Sequence, residues 1–164
     1  MPSPDVPLVA ADFVLPPPPA TPAFRLEPLG PRHNAADHAA WTSSIAHIRA
    51  TPGFAGRAWP PLAGMSPEAN LEDLRRHAQD FDERTGFTYT VLSVPEGEVI
   101  GCVYIYPSRQ DPPRQDPPLQ APPLPEVRSW VRADHAPLDP ELHRTVSAWL
   151  RDDWPFDEVI YAPR

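Results

Sequence analysis

Residues 126–161 read EVRSWVRADHAPLDPELHRTVSAWLRDDWPFDEVIY, and this stretch decides the fold. Residues 126–131 alternate in polarity and are rich in β-branched and aromatic side chains, which is typical of a strand. The segment Asp-Pro-Glu at 139–141 predicts the start of a helix, with Asp139 as its N-cap. Residues 157–161 predict a second, short strand.

A strand, a helix and a strand of this length are typical of a right-handed β-α-β unit. The predicted helix carries one apolar stripe, made of Leu142, Val146, Trp149 and Leu150. In many α/β proteins, the turn before such a helix holds a phosphate-bearing cofactor. Residues 132–139 are therefore the first place to look for a binding site.

Composition limits the classes of partner. The chain has 164 residues, enough for one domain, and its formal net charge is −8 with arginine as the only basic residue apart from histidine. An acidic chain without lysine clusters argues against nucleic acid or an anionic membrane as the main partner. Cys102 is the single cysteine, so neither an internal disulfide nor a cysteine metal cluster can form. There is no apolar run near the roughly 20 residues that span a bilayer, and no basic residue precedes Arg25, so we expect a cytoplasmic protein.

Proline marks two segments outside the predicted core. Residues 1–22 predict an irregular, proline-rich N-terminal arm that docks on the body through Phe13. The single domain then spans residues 23–164 and contains a proline-rich insertion at 107–125. Its repeat, RQDPPRQDPPLQAPP at 109–123, has no apolar periodicity, which predicts an exposed segment between two strands. The alternative is that the repeat is a ligand for a proline-binding module.

Two helices are predicted before the central strands. A short strand at 24–29 precedes them. The first helix starts at Asn34, which with Asp37 resembles a capping box, and the second starts at Ser66. We expect Gly86 to cap the second helix at its C-terminus. The buried stripe of the first helix is made of Trp41, Ile45 and Ile48.

The clearest strand signals lie in the middle of the chain. Residues 87–94 and 99–106 flank a Pro-Glu-Gly-Glu turn and predict an antiparallel hairpin. Large apolar side chains stand on both faces of these strands, so both faces are expected to be buried. The sequence therefore predicts an α/β fold with a mixed, mostly antiparallel central sheet and helices on both faces.

The predicted order of elements, with VIGCVY at 99–104 and Trp-Val-Arg at 130–132, resembles the GNAT superfamily of acyl-CoA N-acyltransferases. This resemblance implies acyl transfer from acetyl-CoA to a small-molecule amine. It also implies that the strand at 126–132 splays from its neighbour. The backbone of that strand, at Trp130 and Val131, is then expected to hold the pantetheine arm of the cofactor.

The resemblance assigns two further groups. In this family the turn after the strand holds the pyrophosphate, and the cofactor-binding residues that this predicts here are Arg132, His135, Ala136 and Leu138. Glu126, at the start of the strand, is the candidate catalytic base, acting on the amine through water. A plain carboxylate at the strand edge is the alternative for Glu126. No metal site is predicted, because the histidines lack metal-site spacing.

The turn departs from the pattern of this family. Glycines of the family pattern are replaced by His135 and Pro137, and Gly101 is the last glycine in the sequence. Pro137 offers no N–H to a phosphate, and Asp134 adds negative charge where an anion is expected. Two hypotheses therefore stay open. The chain is an N-acetyltransferase that uses acetyl-CoA, or it is a non-catalytic GNAT-like module that binds a ligand or partner and has lost CoA pyrophosphate binding.

Overall fold

The computed structural model describes residues 6–108 and 124–164, and its central feature is a five-stranded sheet. The strands are β1 (Phe24–Pro28), β2 (Phe87–Ser93), β3 (Val99–Pro107), β4 (Pro125–Val131) and β5 (Ile160–Tyr161). They lie side by side in the order β1-β2-β3-β4-β5, and only the β4–β5 pair is parallel. The structure confirms the predicted α/β class with a mixed, mostly antiparallel sheet.

Helices cover both faces of this sheet. In the described residues they are α1 (Asn34–Thr42), α2 (Ile45–Ala50), α3 (Pro67–Glu83) and α4 (Asp139–Asp153). The core on the side of α1, α2 and α3 includes Trp41, Ile48, Leu74, Cys102 and Trp130. The core on the side of α4 includes Val103, Val127, Leu142, Val146 and Trp149. Because successive side chains of a strand point to opposite faces, β3 and β4 contribute to both cores.

The first predicted helix is in fact two helices. α1 ends at Thr42 and α2 begins at Ile45. Between them, the hydroxyl of Ser44 accepts a hydrogen bond at 2.8 Å from the amide of Ala133, in the turn before α4. Serine side chains that bond to backbone groups favour helix ends over helix interiors. The break therefore ties the end of α1 to the turn in which a cofactor site was predicted.

The caps predicted at Gly86 and Asp139 are wrong. Arg84 takes the left-handed C-cap of α3, with φ at 63°. Gly86 instead makes room for the ring of Tyr106, which a Cβ at that position would overlap. Asp139 is the first residue of α4 rather than its N-cap, and its carboxylate accepts a hydrogen bond from Arg164.

The segment before β1 packs on the α4 side of the sheet. Leu8 is buried in that core, and the ring centroid of Phe13 lies 6.0 Å from that of Trp154. The indole N–H of Trp149 donates to the carbonyl of Pro17 at 3.1 Å. Phe13 is therefore one of several contacts that hold this segment against the domain.

β3 and β4 meet at the site of the predicted insertion. Pro107 pairs with Pro125 at the end of the β3–β4 ladder, and the amide of Ser108 donates to the carbonyl of Leu124 at 2.8 Å. The repeat at 109–123 lies outside the described residues, so its exposure stays a prediction.

Replacing Trp149 should unfold the domain at lower denaturant concentration. The side chain is 5% exposed and contacts the rings of Tyr89 and Trp154 edge to face, at centroid distances of 5.2 and 5.3 Å. Trp149→Ala is expected to cost about 3–5 kcal/mol, because it leaves a cavity in a close-packed core. Trp149→Phe keeps an aromatic ring and should cost less. Urea denaturation followed by circular dichroism measures both, and an unshifted midpoint in Trp149→Ala would contradict the packing.

Candidate functional site

β4 is paired along its whole length on one edge and hardly at all on the other. β5 pairs with it only at Glu126 and Val127. On the β3 side, the amide of Arg132 donates to the carbonyl of Ile100 at 2.8 Å, just beyond the last ladder pair. Hydrogen-bonding direction alternates along an antiparallel pair, so the even-numbered residues of β4 bond to β3. The odd-numbered residues therefore turn their amides and carbonyls towards the other edge of β4. Beyond Val127 this edge has no strand partner, and we call the gap beside it the opening.

This alternation changes which residues face the opening. Trp130 was predicted to bind a cofactor through its backbone, but its carbonyl is turned to β3, where a Cβ on Gly101 would overlap it. The indole of Trp130 is buried and donates to the hydroxyl of Tyr104 at 3.1 Å. Ser129 and Val131 carry the backbone groups that face the opening. The predicted cofactor role of Val131 is compatible with this geometry, and the backbone of Trp130 is turned away from the opening.

Arg164 crosses the opening. Its side chain is 5% exposed, and Nη2 donates to the carbonyl of Ser129 at 2.8 Å. Nε donates to the carboxylate of Asp139 at 2.6 Å. Beside it, the hydroxyls of Ser129 and Tyr161 lie 2.5 Å apart. The guanidinium of Arg164 therefore competes with any ligand for the carbonyl of Ser129.

In the turn between β4 and α4, three charged or ionisable side chains contact one another. Arg132 donates to both carboxylate oxygens of Asp134, at 3.0 and 2.6 Å, and Nδ1 of His135 lies 2.9 Å from the same carboxylate. The hydrogen bonds from Arg132 and His135 hold the pKa of Asp134 well below its usual range. Both cations predicted to meet a pyrophosphate are thus bound to one exposed carboxylate.

The other two predicted residues of this turn are placed by the backbone. Residues 133–138 form 3-10 turns. The carbonyl of Ala136 accepts a hydrogen bond from the amide of Asp139, the first residue of α4. Leu138 is half-buried against the core on the α4 side. The contact of these two residues with a phosphate stays a prediction.

A chamber of about 590 Å³ lies on the opposite face of the sheet, between α1, α3 and the strands β3 and β4. Its lining includes Asp37, Phe54, Trp59, Tyr104, Tyr106 and Glu126. Tyr104 lines the chamber and also packs against the core on this side of the sheet. The even-numbered side chains Glu126 and Arg128 of β4 line the chamber. The backbone groups of the odd-numbered residues of the same strand face the opening.

Glu126, the predicted base, lies in this chamber with 16% of its side chain exposed. Its carboxylate forms a short ion pair with Arg57, and Nε of Arg128 lies 3.9 Å away. The guanidinium of Arg128 also lies over the ring of Phe54, 5.6 Å from its centroid. In the structure, Glu126 fixes the loop that carries Arg57 over the chamber.

His77 is a second group in the chamber, which sequence reasoning did not find. The hydroxyl of Tyr106 donates to Asp80 at 2.8 Å, and Nδ1 of His77 lies 2.8 Å from the same hydroxyl. The same Nδ1 lies 3.0 Å from the hydroxyl of Thr88. Burial lowers the pKa of His77 to about 4. The ring is therefore neutral at pH 7.

Asp37 is the most deeply buried acid of the chamber. It is 4% exposed, and one carboxylate oxygen accepts from Nδ2 of Asn70 at 3.1 Å. The same amide group donates to Asn34, and its oxygen accepts from the indole of Trp41 at 3.0 Å. Burial raises the pKa of Asp37 to about 6, against the opposing effect of the Asn70 hydrogen bond. The sequence pattern indicates Asp37 only as part of a capping box with Asn34.

Two kinds of feature are absent from the described residues. Within residues 6–108 and 124–164, no group of three or more histidine, cysteine, aspartate and glutamate side chains is arranged to hold a metal ion. In the same residues, no helix has both the length and the apolar character needed to cross a bilayer.

Solved acetyltransferase structures share this fold. The ribosomal-protein-S5-alanine acetyltransferase of Vibrio fischeri aligns with a TM-score of 0.56 at 12% identity, over 82% of this chain and 67% of its own. The microcin C7 self-immunity acetyltransferase, in complex with acetyl-CoA and AMP, gives 0.59 at 8% identity, over 86% and 68%. A ribosomal L7/L12 alpha-N-protein acetyltransferase, in complex with coenzyme A, gives 0.58 at 11% identity, over 81% and 64%. The chain thus spans about two thirds of each of these structures. No protein-family model matches the chain, and no curated protein matches it.

Asp37→Asn should stabilise the protein at neutral pH and lose that advantage in acid. The pKa of Asp37 is about 6 in the folded protein, against an ordinary value of 3.8 for an aspartate in an unfolded chain. The folded state therefore holds this proton more tightly, and the stability that protonated Asp37 contributes is lost as the pH rises from about 4 to 6. At pH 7.5 the loss amounts to about 3 kcal/mol, which the uncharged amide of the variant avoids.

Urea denaturation of both proteins at pH 4.5 and pH 7.5 measures the effect. Asp152→Asn, at an exposed position, is the control for removing one negative charge. An equal difference between wild type and Asp37→Asn at both pH values would contradict the burial of an ionised Asp37.

Proposed function

We propose that this chain, which has the fold of the GNAT superfamily of acyl-CoA N-acyltransferases, is an acetyl-CoA-dependent N-acetyltransferase that acts on a small-molecule amine. One observation supports this most. After Val127, β4 loses its partner β5, so the backbone of Ser129 and Val131 faces an opening. The same strand places Glu126 and Arg128 in the chamber. A thioester held in the opening and an amine held in the chamber would lie on two sides of one strand.

The residues of the opening fit part of the cofactor. Acetyl-CoA, when bound, supplies an acetyl group as a thioester that an amine nitrogen can attack. The carbonyl of Ser129 and the amide of Val131 can bond to the amides of a pantetheine arm, once Arg164 gives up its bond to Ser129. Acyl transfer of this kind depends mainly on positioning, because correct orientation removes much of the entropic barrier.

Proton transfer needs a group in the chamber. The amine must lose a proton as its nitrogen forms the new bond, and the departing sulfur must gain one. Glu126 is our candidate to take the proton, and a water between its carboxylate and the amine would complete the path. In this assignment the amine, or that water, replaces Arg57 at the carboxylate of Glu126.

The geometry of the turn between β4 and α4 favours the alternative function, a non-catalytic module that has lost CoA pyrophosphate binding. Arg132 and His135 form hydrogen bonds of 2.6 to 3.0 Å to Asp134, so this carboxylate competes with a pyrophosphate for them. Pro137 has no amide hydrogen to donate. These observations favour weak cofactor binding, or a non-catalytic module that has lost it. Calorimetry with acetyl-CoA separates the two functions.

Asp134→Asn should tighten acetyl-CoA binding several-fold at low salt. The change releases Arg132 and His135 to meet the pyrophosphate and removes a negative charge beside it. Arg132→Ala, the matched variant of opposite sign, should weaken binding. Titration calorimetry at two salt concentrations measures both, because the gain should shrink as salt screens the charges. Absence of any binding heat in wild type and both variants at millimolar acetyl-CoA would reject the acetyltransferase and leave the binding module.

Removing Arg164 should also tighten binding. The double variant Arg164→Ala/Asp139→Asn frees the Ser129 carbonyl and removes both members of the ion pair, so that no buried charge is left alone. One backbone hydrogen bond regained by the ligand corresponds to about 1 kcal/mol, or a several-fold lower Kd for acetyl-CoA. Asp139→Asn alone is the control. Equal affinity in the double variant and this control would show that the Ser129 carbonyl is not part of the cofactor site.

A further inference from the structure

The chamber contains a buried negative charge that no cation of the described structure neutralises. Asp37 is 4% exposed and lines the chamber. Within residues 6–108 and 124–164 it forms no ion pair, and its second carboxylate oxygen has no hydrogen bond. The charges that act on its pKa are His33, His38 and Asp73, and the last of these opposes ionisation. A buried carboxylate is costly unless it is paired with a cation, so this position is built for a positive ligand.

Most of the other charged groups of the chamber have partners of opposite charge. Arg57 pairs with Glu126, whose carboxylate also lies 3.9 Å from Arg128. Arg76 lies 3.6 Å from Asp73. His77 is neutral at pH 7. Asp37 and Asp80 are thus the described lining acids without a cation. Asp37 is the more deeply buried of the two, because Asp80 is half-buried and accepts a hydrogen bond from the hydroxyl of Tyr106.

Aromatic rings form the wall beside this acid. Trp59 is half-buried, and its ring centroid lies 5.6 Å from that of Trp41, 5.9 Å from that of Phe54 and 6.0 Å from that of Tyr104. Trp41 is one helical turn from Asp37 and bonds to the Asn70 that holds it. The faces of indole and phenol rings attract ammonium groups, and tryptophan does so most strongly. A carboxylate and such rings together select a primary ammonium over a neutral polar group.

We propose that the chamber binds an ammonium group at Asp37, between the carboxylate and the ring of Trp59. Resting on the acetyltransferase function proposed above, this ammonium is a second cationic group of the acceptor and not the amine that is acylated. α1, which carries Asp37, packs on β3, whereas the opening lies beyond the far edge of β4. Neighbouring strands are about 4.8 Å apart, so the two positions are separated by roughly 5–10 Å along the sheet, and the height of α1 above the sheet adds to this distance. The acceptor class is therefore a diamine or a longer polyamine.

Titration calorimetry with 1,5-diaminopentane at pH 7.5, without CoA, tests the site. The neutral molecule of the same length, 1,5-pentanediol, is the control ligand and should not bind. Asp37→Asn should raise the Kd of the diamine roughly 30-fold or more, because truncating one partner of a buried charge pair removes most of its attraction. Asp152→Asn removes one exposed negative charge and should leave the Kd unchanged.

The indole N–H signals locate the ligand in a two-dimensional ¹H–¹⁵N spectrum. Trp59 lines the chamber, and Trp41 and Trp130 lie in the core on the same side of the sheet. Trp149 and Trp154 lie in the core on the other face. Diamine binding should shift the signals of the first group, with Trp41 prominent because its N–H bonds to Asn70. The signals of the second group should stay in place. The same spectrum shows whether Asp37→Asn is folded.

Three results would overturn the proposal: no diamine binding to wild type at tens of millimolar, equal affinity in folded Asp37→Asn, or equal binding of the diol. Because the titrations contain no CoA, they do not depend on the acetyl-CoA site. A diamine that binds at Asp37 in a protein without affinity for acetyl-CoA would support the ammonium site and reject the acyl transfer.

Discussion

The unequal pairing of β4 is the constraint from which the candidate site follows. Backbone amides and carbonyls that are removed from water need hydrogen-bond partners, and β3 provides them along one edge of β4. On the other edge, β5 provides them at only two positions. The backbone beyond those positions must find a ligand, a side chain or water. In this structure the guanidinium of Arg164 takes the carbonyl of Ser129, so a side chain holds a place that a pantetheine arm would need.

Charged side chains at the turn are exposed to water, whereas those in the chamber are partly or fully buried, so the cost of an unpaired charge differs between the two places. At the exposed turn, Asp134 gathers Arg132 and His135, which costs little because water solvates all three groups. In the chamber, desolvation makes an unpaired charge expensive, and the arginines there are matched by acids. Asp37, the most deeply buried acid there, has an amide and no cation as its partner, and its pKa is raised. The ionised carboxylate of Asp37 carries a desolvation cost, which the attraction of a bound cationic ligand can offset.

Much of the fold could be predicted because its signals are local. Alternation in the central strands and the apolar stripe of α4 each arise within a few residues, and they sufficed to predict a mixed sheet covered on both faces. The predicted boundaries were wrong where a distant group competes with a local one. Ser44 ends α1 while accepting a bond from Ala133, and Gly86 is needed by the ring of Tyr106 rather than by a helix cap.

The sequence by itself determined the order of elements, the covered sheet and the position of Glu126 at the start of β4, since each depends on neighbours in the chain. Only the tertiary structure decided which β4 residues face the opening, because the direction of a backbone hydrogen bond depends on strand register. It also decided that Asp37, Asn70 and Trp59, from three separate segments, surround one cavity. Burial and the loss of solvation that comes with it are properties of the packed chain. The acid that appeared in the sequence as a helix cap therefore became, on folding, a buried charge without a cation.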